Sequence, residues 1–241
     1  MIDLHCHILP ALDDGALDIA DSVAMAREAQ HDGITVVCAT PHIRDDHDVR
    51  IGELLRRVGE LQRELERRGV GVRIAQGGEL AQTAADELSA KHLRYLSLDG
   101  GGWVLLEPAP GPIGEELGKL ASRLEARGAH TIVAHPERHA GPDIEQRLRA
   151  LAMQGCLIQW TADFIAQQKE GGRDAPVLRF AREGLVHLLA SDAHSSHGGR
   201  PVRLSAGFGR LREICSPEQV AWIAEEAPAA VLSGAHVIPP W

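Results

Sequence analysis

Residues 1–14, MIDLHCHILPALDD, decide how this chain is read. Ile2, Leu4 and Cys6 alternate with Asp3, His5 and His7, the period-two pattern of a strand whose side chains stand on two faces. His5 and His7 therefore leave the strand on one face, close enough for both imidazoles to reach a single cation. Cys6, between them, points the other way and packs as a small apolar residue. Pro10 ends the run, and a loop carrying Asp13 and Asp14 follows. A plain strand with two partly exposed histidines has the same pattern, so the rest of the chain must decide.

A chain of 241 residues is long enough to bury a full core, as one domain of α/β-barrel size or as two smaller ones. Its 44% hydrophobic content excludes a disordered protein. The formal charge of −9 argues against nucleic acid or an anionic membrane as partner. It does not exclude a small anionic substrate, because bound cations reverse the potential locally. Asp3 and His5 interrupt any signal-peptide pattern, and no apolar run reaches membrane-spanning length. Cys6, Cys38, Cys156 and Cys215 show no CxxC or framework spacing, which predicts reduced thiols in a cytoplasmic protein.

Beyond residue 14, strands and helices alternate. Helices are predicted at residues 18–31, 49–68, 84–91, 113–127, 144–153, 175–183, 202–214 and 217–232. Short apolar strands are predicted at 34–39, 70–75, 103–106, 131–134, 156–160 and 186–190. In the long helix, Leu54, Leu55, Val58, Leu61 and Leu65 share one side, and Arg and Glu fill the other as a solvated face. No linker, repeat or low-complexity segment divides the chain. With the first strand, seven βα-type strands point to an α/β fold in one domain over residues 1–241, a closed or distorted barrel one strand short of eight.

Polar residues recur at one place in this pattern. His5 with His7, His42, Glu79, Glu107, His135, and Asp192 with His194 each lie at or just after the end of a different predicted strand. In a parallel barrel those ends converge on the face where active sites form. Singly, each has a mundane alternative: His42 as a turn residue after Pro41, Glu79 beside a helix cap, His135 as a hydrogen-bonded core histidine. Together they are hard to dismiss. With Asp14 added, five histidines and four carboxylates exceed one tetrahedral zinc and suit two or three ions, with Glu79 placed to bridge. A donor set without thiolate favours manganese, iron or zinc over copper or clusters. Arg138, and Arg200 beyond the Gly198-Gly199 pair, supply planar guanidinium groups suited to phosphate oxygens, unless they are ordinary surface ion pairs.

The ordered motifs MIDLHCHILPALDDG, ATPH, GGE, LLE, AHPER and SDAH resemble the PHP (polymerase and histidinol phosphatase) superfamily. More closely, they resemble its bacterial manganese-dependent protein-tyrosine phosphatases, which regulate capsular and exopolysaccharide synthesis. The resemblance runs from Met1 to about Gly234. It implies a distorted (β/α)7 TIM-like barrel and a trinuclear site. His5, His7, Glu79 and Asp192 would hold one ion; Glu79, Glu107 and His135 the second; Asp14, His42 and His194 the third. Glu107 matches the tyrosine-phosphatase branch, whose histidinol-phosphatase relatives place a histidine there. Arg138 and Arg200 match its phosphate-binding arginines. Two positions depart from the branch, Thr161 and Ala227, where Asn residues are usual; the first bears on substrate contacts.

The implied reaction is one-step hydrolysis of a phosphomonoester by a metal-bridging hydroxide, with metals and arginines neutralising the equatorial oxygens. A phenolate leaving group, whose conjugate acid has a pKa of about 10, needs little protonation. A phosphotyrosine tail, such as that of a bacterial tyrosine kinase, fits that chemistry. Three rivals share the sequence. One is a small-molecule phosphatase acting on histidinol phosphate or aryl phosphates. Another is a non-catalytic metal-binding PHP module. The third is a cysteine phosphatase built on Cys38-to-Arg44, CATPHIR, which matches C-x5-R but has no glycine in its loop and loses an N–H donor at Pro41.

Overall fold

The computed structural model describes residues 1–139, 141–169, 175–198 and 200–240. Gly199, expected to lend flexibility beside Arg200, lies outside them. Among the described residues the strands are β1 (Ile2–Cys6), β2 (Val36–Ala39), β3 (His42–Ile43), β4 (Arg73–Gln76), β5 (Glu79–Ala81), β6 (Trp103–Glu107), β7 (His130–Val133), β8 (Leu157–Thr161) and β9 (Leu188–Ala190). Every pairing between them is parallel. They form an α/β fold with a curled sheet in two runs, β1-β2-β4 and β3-β5-β6-β7-β8-β9.

Two predicted strands continue as second pieces, and both breaks matter. Thr40-Pro41 separates β2 from β3, because proline carries no N–H for a ladder. Gly77-Gly78 separates β4 from β5, where a Cβ on either glycine would lie 2.6 Å from a Leu98 or Leu96 methyl. The breaks redirect the chain so that His42 pairs with Glu79 across β3 and β5. After β9, Asp192 N–H donates to His5 O at 2.8 Å and His7 N–H donates to Ala193 O at 2.8 Å, tying that segment to β1.

The helices are α1 (Ile19–His31), α2 (Leu54–Arg67), α3 (Ala90–Leu96), α4 (Glu115–Glu125), α5 (Ile144–Met153), α6 (Ala162–Gln167), α7 (Ala175–Arg182), α8 (Ser205–Ile214), α9 (Pro217–Ala221) and α10 (Ala227–Ser233). Asp18 caps α1 through Ala20 N–H and Asp21 N–H. In α2, Leu54, Val58, Leu61 and Leu65 are buried. Leu55, expected with them, is exposed. The charged side carries pairs such as Arg56–Glu60 at 2.5 Å, which in water contribute little.

Other expectations shift. The helix predicted at 84–91 is a short 3-10 turn, then an extended Leu88, then α3 started by Ser89, whose side chain accepts from His92 N–H. The segment 202–214 becomes helical only at Ser205. The run 217–232 is interrupted by a π turn at Trp222–Glu226, just before Pro228, whose missing N–H breaks the regular ladder. Helix α6 is too short for a periodic signal and was not foreseen.

His187 is buried beneath β8, where its Nδ1 accepts from Ile158 N–H at 2.9 Å. Burial pushes its pKa down to about 4. A depressed histidine pKa means the unfolded chain takes up the proton first. This contribution is therefore complete above about pH 6.5 and is lost as pH falls towards 4. Urea midpoints of the wild type and His187→Gln, followed from neutral pH to pH ~4.5, should diverge, the wild type losing about 2–3 kcal/mol more.

Candidate metal centre

Each strand end delivers one or two polar side chains to a common point. His5, His7, His42, Glu79, His135 and Asp192 are buried, while Glu107 and His194 are half-buried and Asp14 is exposed. The cluster thus has a dry floor and an open rim.

The floor is organised by the second nitrogen of each ring. His5 Nδ1–H donates to Gln159 Oε1 at 3.0 Å, and His7 Nδ1–H donates to Asp13 Oδ2 at 2.7 Å. In the neutral rings both Nε2 lone pairs then face inward, 3.2 Å apart. Glu79 Oε2 lies 3.3 Å from each of them, and Asp192 Oδ1 lies 3.3 and 3.5 Å away. Those two carboxylate oxygens are buried and accept no hydrogen bond among the described residues. Such a convergence suits a cation, or in its absence a proton on the rings. The spacing fits a cation, since ligands about 2.0–2.1 Å from a tetrahedral ion sit roughly 3.3 Å from one another.

Protonation reports the same field. Burial works against charge on His5 and His7, but Glu79 and Asp192, with Asp13 on His7, overcome it and raise both pKa values. Burial also opposes ionisation of Glu79 and Asp192, yet the surrounding histidines hold both carboxyls well below the usual range. Burial and the Glu79 charge raise Glu107. Burial and the His7 charge push His194 down to about 4.

The remaining residues spread outward from Glu79. His135 Nε2 lies 2.7 Å from Glu79 Oε1, and His42 Nδ1 lies 2.9 Å from Glu79 Oε2 and 3.8 Å from Glu107 Oε2. Asp14 Oδ1 lies 3.4 Å from His42 Nε2 and 3.5 Å from His194 Nε2. Four groupings have donor atoms within 4.8 Å of one another: His5-His7-Glu79, His5-His135-Asp192, His42-Glu79-Glu107 and His7-Asp14-His42-His194. Glu107 thus sits with His42 rather than directly with His135, and His7 reaches both floor and rim. His135 and Asp192 adopt positive φ, 28° and 51°, a strained backbone that the surrounding contacts hold in place.

Arg138 and Arg200 complete the rim. Arg138 donates to Asp192 Oδ2, and Arg200 Nη2 lies 3.3 Å from the same oxygen. Arg200 Nε donates to Asp192 O at 2.5 Å. Asp192 thus presents one oxygen to the floor and the other to two guanidinium groups. Both arginines, with Arg44, Asp14, His42, Glu107 and His194, line a pocket of ≈370 Å³. Cys38 is absent from it: burial raises its thiol far above the ordinary range, which removes the cysteine mechanism.

Three contributors escaped the sequence reading. Asp13 was noted only as a loop neighbour of Asp14, yet it takes His7 Nδ1–H and also accepts from Gly15 and His42 N–H. A Cβ on Gly15 would lie 2.2 Å from His7 O, so glycine permits this tight loop. Gln159 was visible only as a polar residue inside an apolar strand. Asp3 accepts from Ser191 N–H at 3.0 Å and Ser191 Oγ at 2.5 Å, and thereby joins β1 to the segment bearing Asp192. Burial raises Asp3 to about 6 against the pull of those hydrogen bonds.

The family model for capsular polysaccharide synthesis, CpsB/CapC, matches residues 1–233. The chain belongs to that family. It is 32% identical to the tyrosine-protein phosphatase YwqE of Bacillus subtilis over 199 residues, 81% of this chain and 78% of that protein. It is 28% identical to the tyrosine-protein phosphatase CpsB of Streptococcus pneumoniae, covering 86% of this chain and 88% of the relative. Among solved structures it matches one from a study of B. subtilis YwqE and S. pneumoniae CpsB, described as unique metal-dependent tyrosine phosphatases. That match has a TM-score of 0.86 and 29% identity, covering 99% of this chain and 96% of the other. The lactonase Lmo2620 of Listeria monocytogenes, at 13% identity and TM-score 0.62, shares the fold alone.

Removing the acceptor that orients His5 tests the floor. Gln159→Leu should weaken manganese binding about tenfold or more in calorimetric titration. Because His5 and His7 have raised pKa values without metal, binding must also expel protons, so affinity should fall as pH is lowered. Unchanged affinity in Gln159→Leu would show that another contact orients the ring.

Proposed function

We propose that this protein is a metal-dependent protein-tyrosine phosphatase acting on a phosphotyrosine tail, such as that of a bacterial tyrosine kinase, in capsule or exopolysaccharide regulation. One observation carries the reading: four buried, donorless lone pairs from His5, His7, Glu79 and Asp192 converge beneath two arginines in a CpsB/CapC chain. The family's relatives named as tyrosine phosphatases supply the substrate class.

The donor set fits a metal cluster. In this reading His5, His7, Glu79 and Asp192 hold one ion, Glu79, Glu107 and His135 a second, and Asp14, His42 and His194 a third. The groupings His5-His7-Glu79 and His7-Asp14-His42-His194 support the first and third sets in part, whereas Glu107 groups with Glu79 and His42 rather than with His135. Imidazole and carboxylate donors without thiolate favour manganese, with iron or zinc as alternatives. The ring of hydrogen bonds from residues 191–193 to β1 supports a closed, distorted seven-stranded barrel in one domain over residues 1–241. Four unpaired cysteines suit a reducing, cytoplasmic setting.

When bound, such ions supply Lewis acidity and make water a nucleophile at neutral pH. The chain's own residues do the positioning. Asp13 and Gln159 fix the ring tautomers, so that His5 and His7 keep their Nε2 lone pairs available. Arg138 and Arg200 hold N–H donors at the rim beside Asp192 Oδ2, where a phosphate can take them in place of that carboxylate. As charge builds on the equatorial oxygens these donors are already in place. The exposed Asp14 side leaves the mouth open to a peptide, and the phenolate departs without a strong general acid.

The decisive assay compares a phosphotyrosine peptide with histidinol phosphate, each with Mn²⁺, with a chelator and with a thiol alkylator. Turnover should favour the phosphopeptide, disappear with the chelator and survive the alkylator. Preference for histidinol phosphate would keep the metal site and overturn the substrate; no turnover of either would leave a binding module. His7→Ala should lower kcat/KM by at least about a hundredfold, because it removes a floor donor.

A further inference from the structure

Helix α1 carries two aspartates that grip the segment on which Arg200 rides. Asp21 lies in the first turn of α1 and Asp32 caps its C-terminus, eleven residues and about three turns on, so the two fall on one side of the helix roughly 16 Å apart. Asp21, buried, accepts from Ser195 Oγ at 3.1 Å, Ser196 N–H at 2.9 Å and Ser196 Oγ at 2.6 Å, besides Leu17 N–H at 3.0 Å. Asp32 accepts from Leu204 N–H at 2.7 Å, from Ser205 N–H at 3.0 Å and from Ser205 Oγ. The two carboxylates hold opposite ends of the connection between His194 and α8.

Between those anchors lies Arg200, with Val202 buried in the core beyond it. A groove of ≈510 Å³ separates Ala24, Arg27, Glu28 and His31 on α1 from Pro201, Val202 and Arg203. Core packing at Val202 and Leu204 holds the far side of Arg200 together with Asp32. Its own contacts are to Asp192 O, to Asp192 Oδ2 at 3.3 Å and, at 2.9 Å, to His194 Nδ1, just ahead of the stretch that Asp21 anchors.

We infer that Asp21 and Asp32 are positioning residues for phosphate binding: they fix both ends of the segment that presents Arg200, and Asp21 also fixes His194 through the adjacent Ser195. The inference rests on the reading of Arg200 as a phosphate ligand. Neither aspartate touches substrate. Each acts by removing the freedom that Arg200 would otherwise lose on binding, so the loss on mutation is read first as weaker phosphate affinity and a higher KM.

The test is calorimetric binding of inorganic phosphate to the manganese-loaded full chain, with KM and kcat on a phosphotyrosine peptide measured in parallel. Wild type, Asp32→Asn, Asp21→Asn and Ser205→Ala are each compared in the wild-type and Arg200→Ala backgrounds. Asp32→Asn should weaken phosphate about tenfold and raise KM similarly. In the Arg200→Ala background it should change neither, because the anchor then holds nothing that binds. Ser205→Ala keeps both N–H contacts to Asp32 and should show a smaller shift in the same direction. Asp21→Asn should in addition release manganese more readily, through His194.

Wild-type phosphate affinity in Asp32→Asn and Ser205→Ala would overturn the inference. An equal loss in the Arg200→Ala background would also overturn it, by showing that the anchors act through general stability. A wild type that binds phosphate but does not hydrolyse the peptide removes the proposed activity and leaves the anchoring to be judged on phosphate alone. Normal hydrolysis with unaltered variants removes the anchoring and leaves the activity. A wild type that binds no phosphate overturns both.

Discussion

The convergence of His5 and His7 on one point, lone pair to lone pair, is the constraint from which the rest of the centre follows. Two neutral imidazoles do not approach in this way unless something positive lies between them or a proton is shared. Gln159 and Asp13 take the outward N–H of each ring, so turning a tautomer to relieve the contact would cost a buried hydrogen bond. Glu79 and Asp192 add two further unpartnered oxygens at the same distance. The chain has thus fixed the cost of a charged cavity in advance, and a cation relieves it.

Such a cavity can persist only where the surrounding backbone is rigid. The parallel sheet provides this by bringing strand ends together, and local devices then aim the side chains. Pro41 and the Gly77-Gly78 pair break two strands so that His42 meets Glu79. Asp3, deep in β1, draws in Ser191 and with it the strained Asp192. The strain at His135 and Asp192 falls at donors of the centre, where rigid neighbours on β1, β7 and β9 can sustain it.

Asp192 links the two halves of the site. Its inner oxygen joins the metal-type donors, and its outer oxygen meets Arg138 and Arg200. In the proposed reading, substrate binding and metal binding would meet at one carboxylate. An anion entering the rim competes with it for guanidinium donors, and the displaced negative charge remains available to the floor.

Much of this was legible in the sequence. The alternation of Ile2, Leu4 and Cys6 with His5 and His7 fixed which side chains share a face, because strand geometry has period two wherever the strand ends up. The succession of short apolar runs and helices fixed a parallel α/β arrangement, and so placed His42, Glu79, Glu107, His135 and Asp192 at one end of it. The orienting partners were not legible. Asp13 and Gln159 act through single hydrogen bonds to rings that only folding brings near, and Asp3 reaches Ser191 across 188 positions of chain. The pairing of Glu107 with His42, the burial that silences Cys38, and the two anchors on α1 were likewise decided by tertiary structure. Periodicity records which face a residue occupies; the identity of its neighbour across the curled sheet depends on how the strands curl.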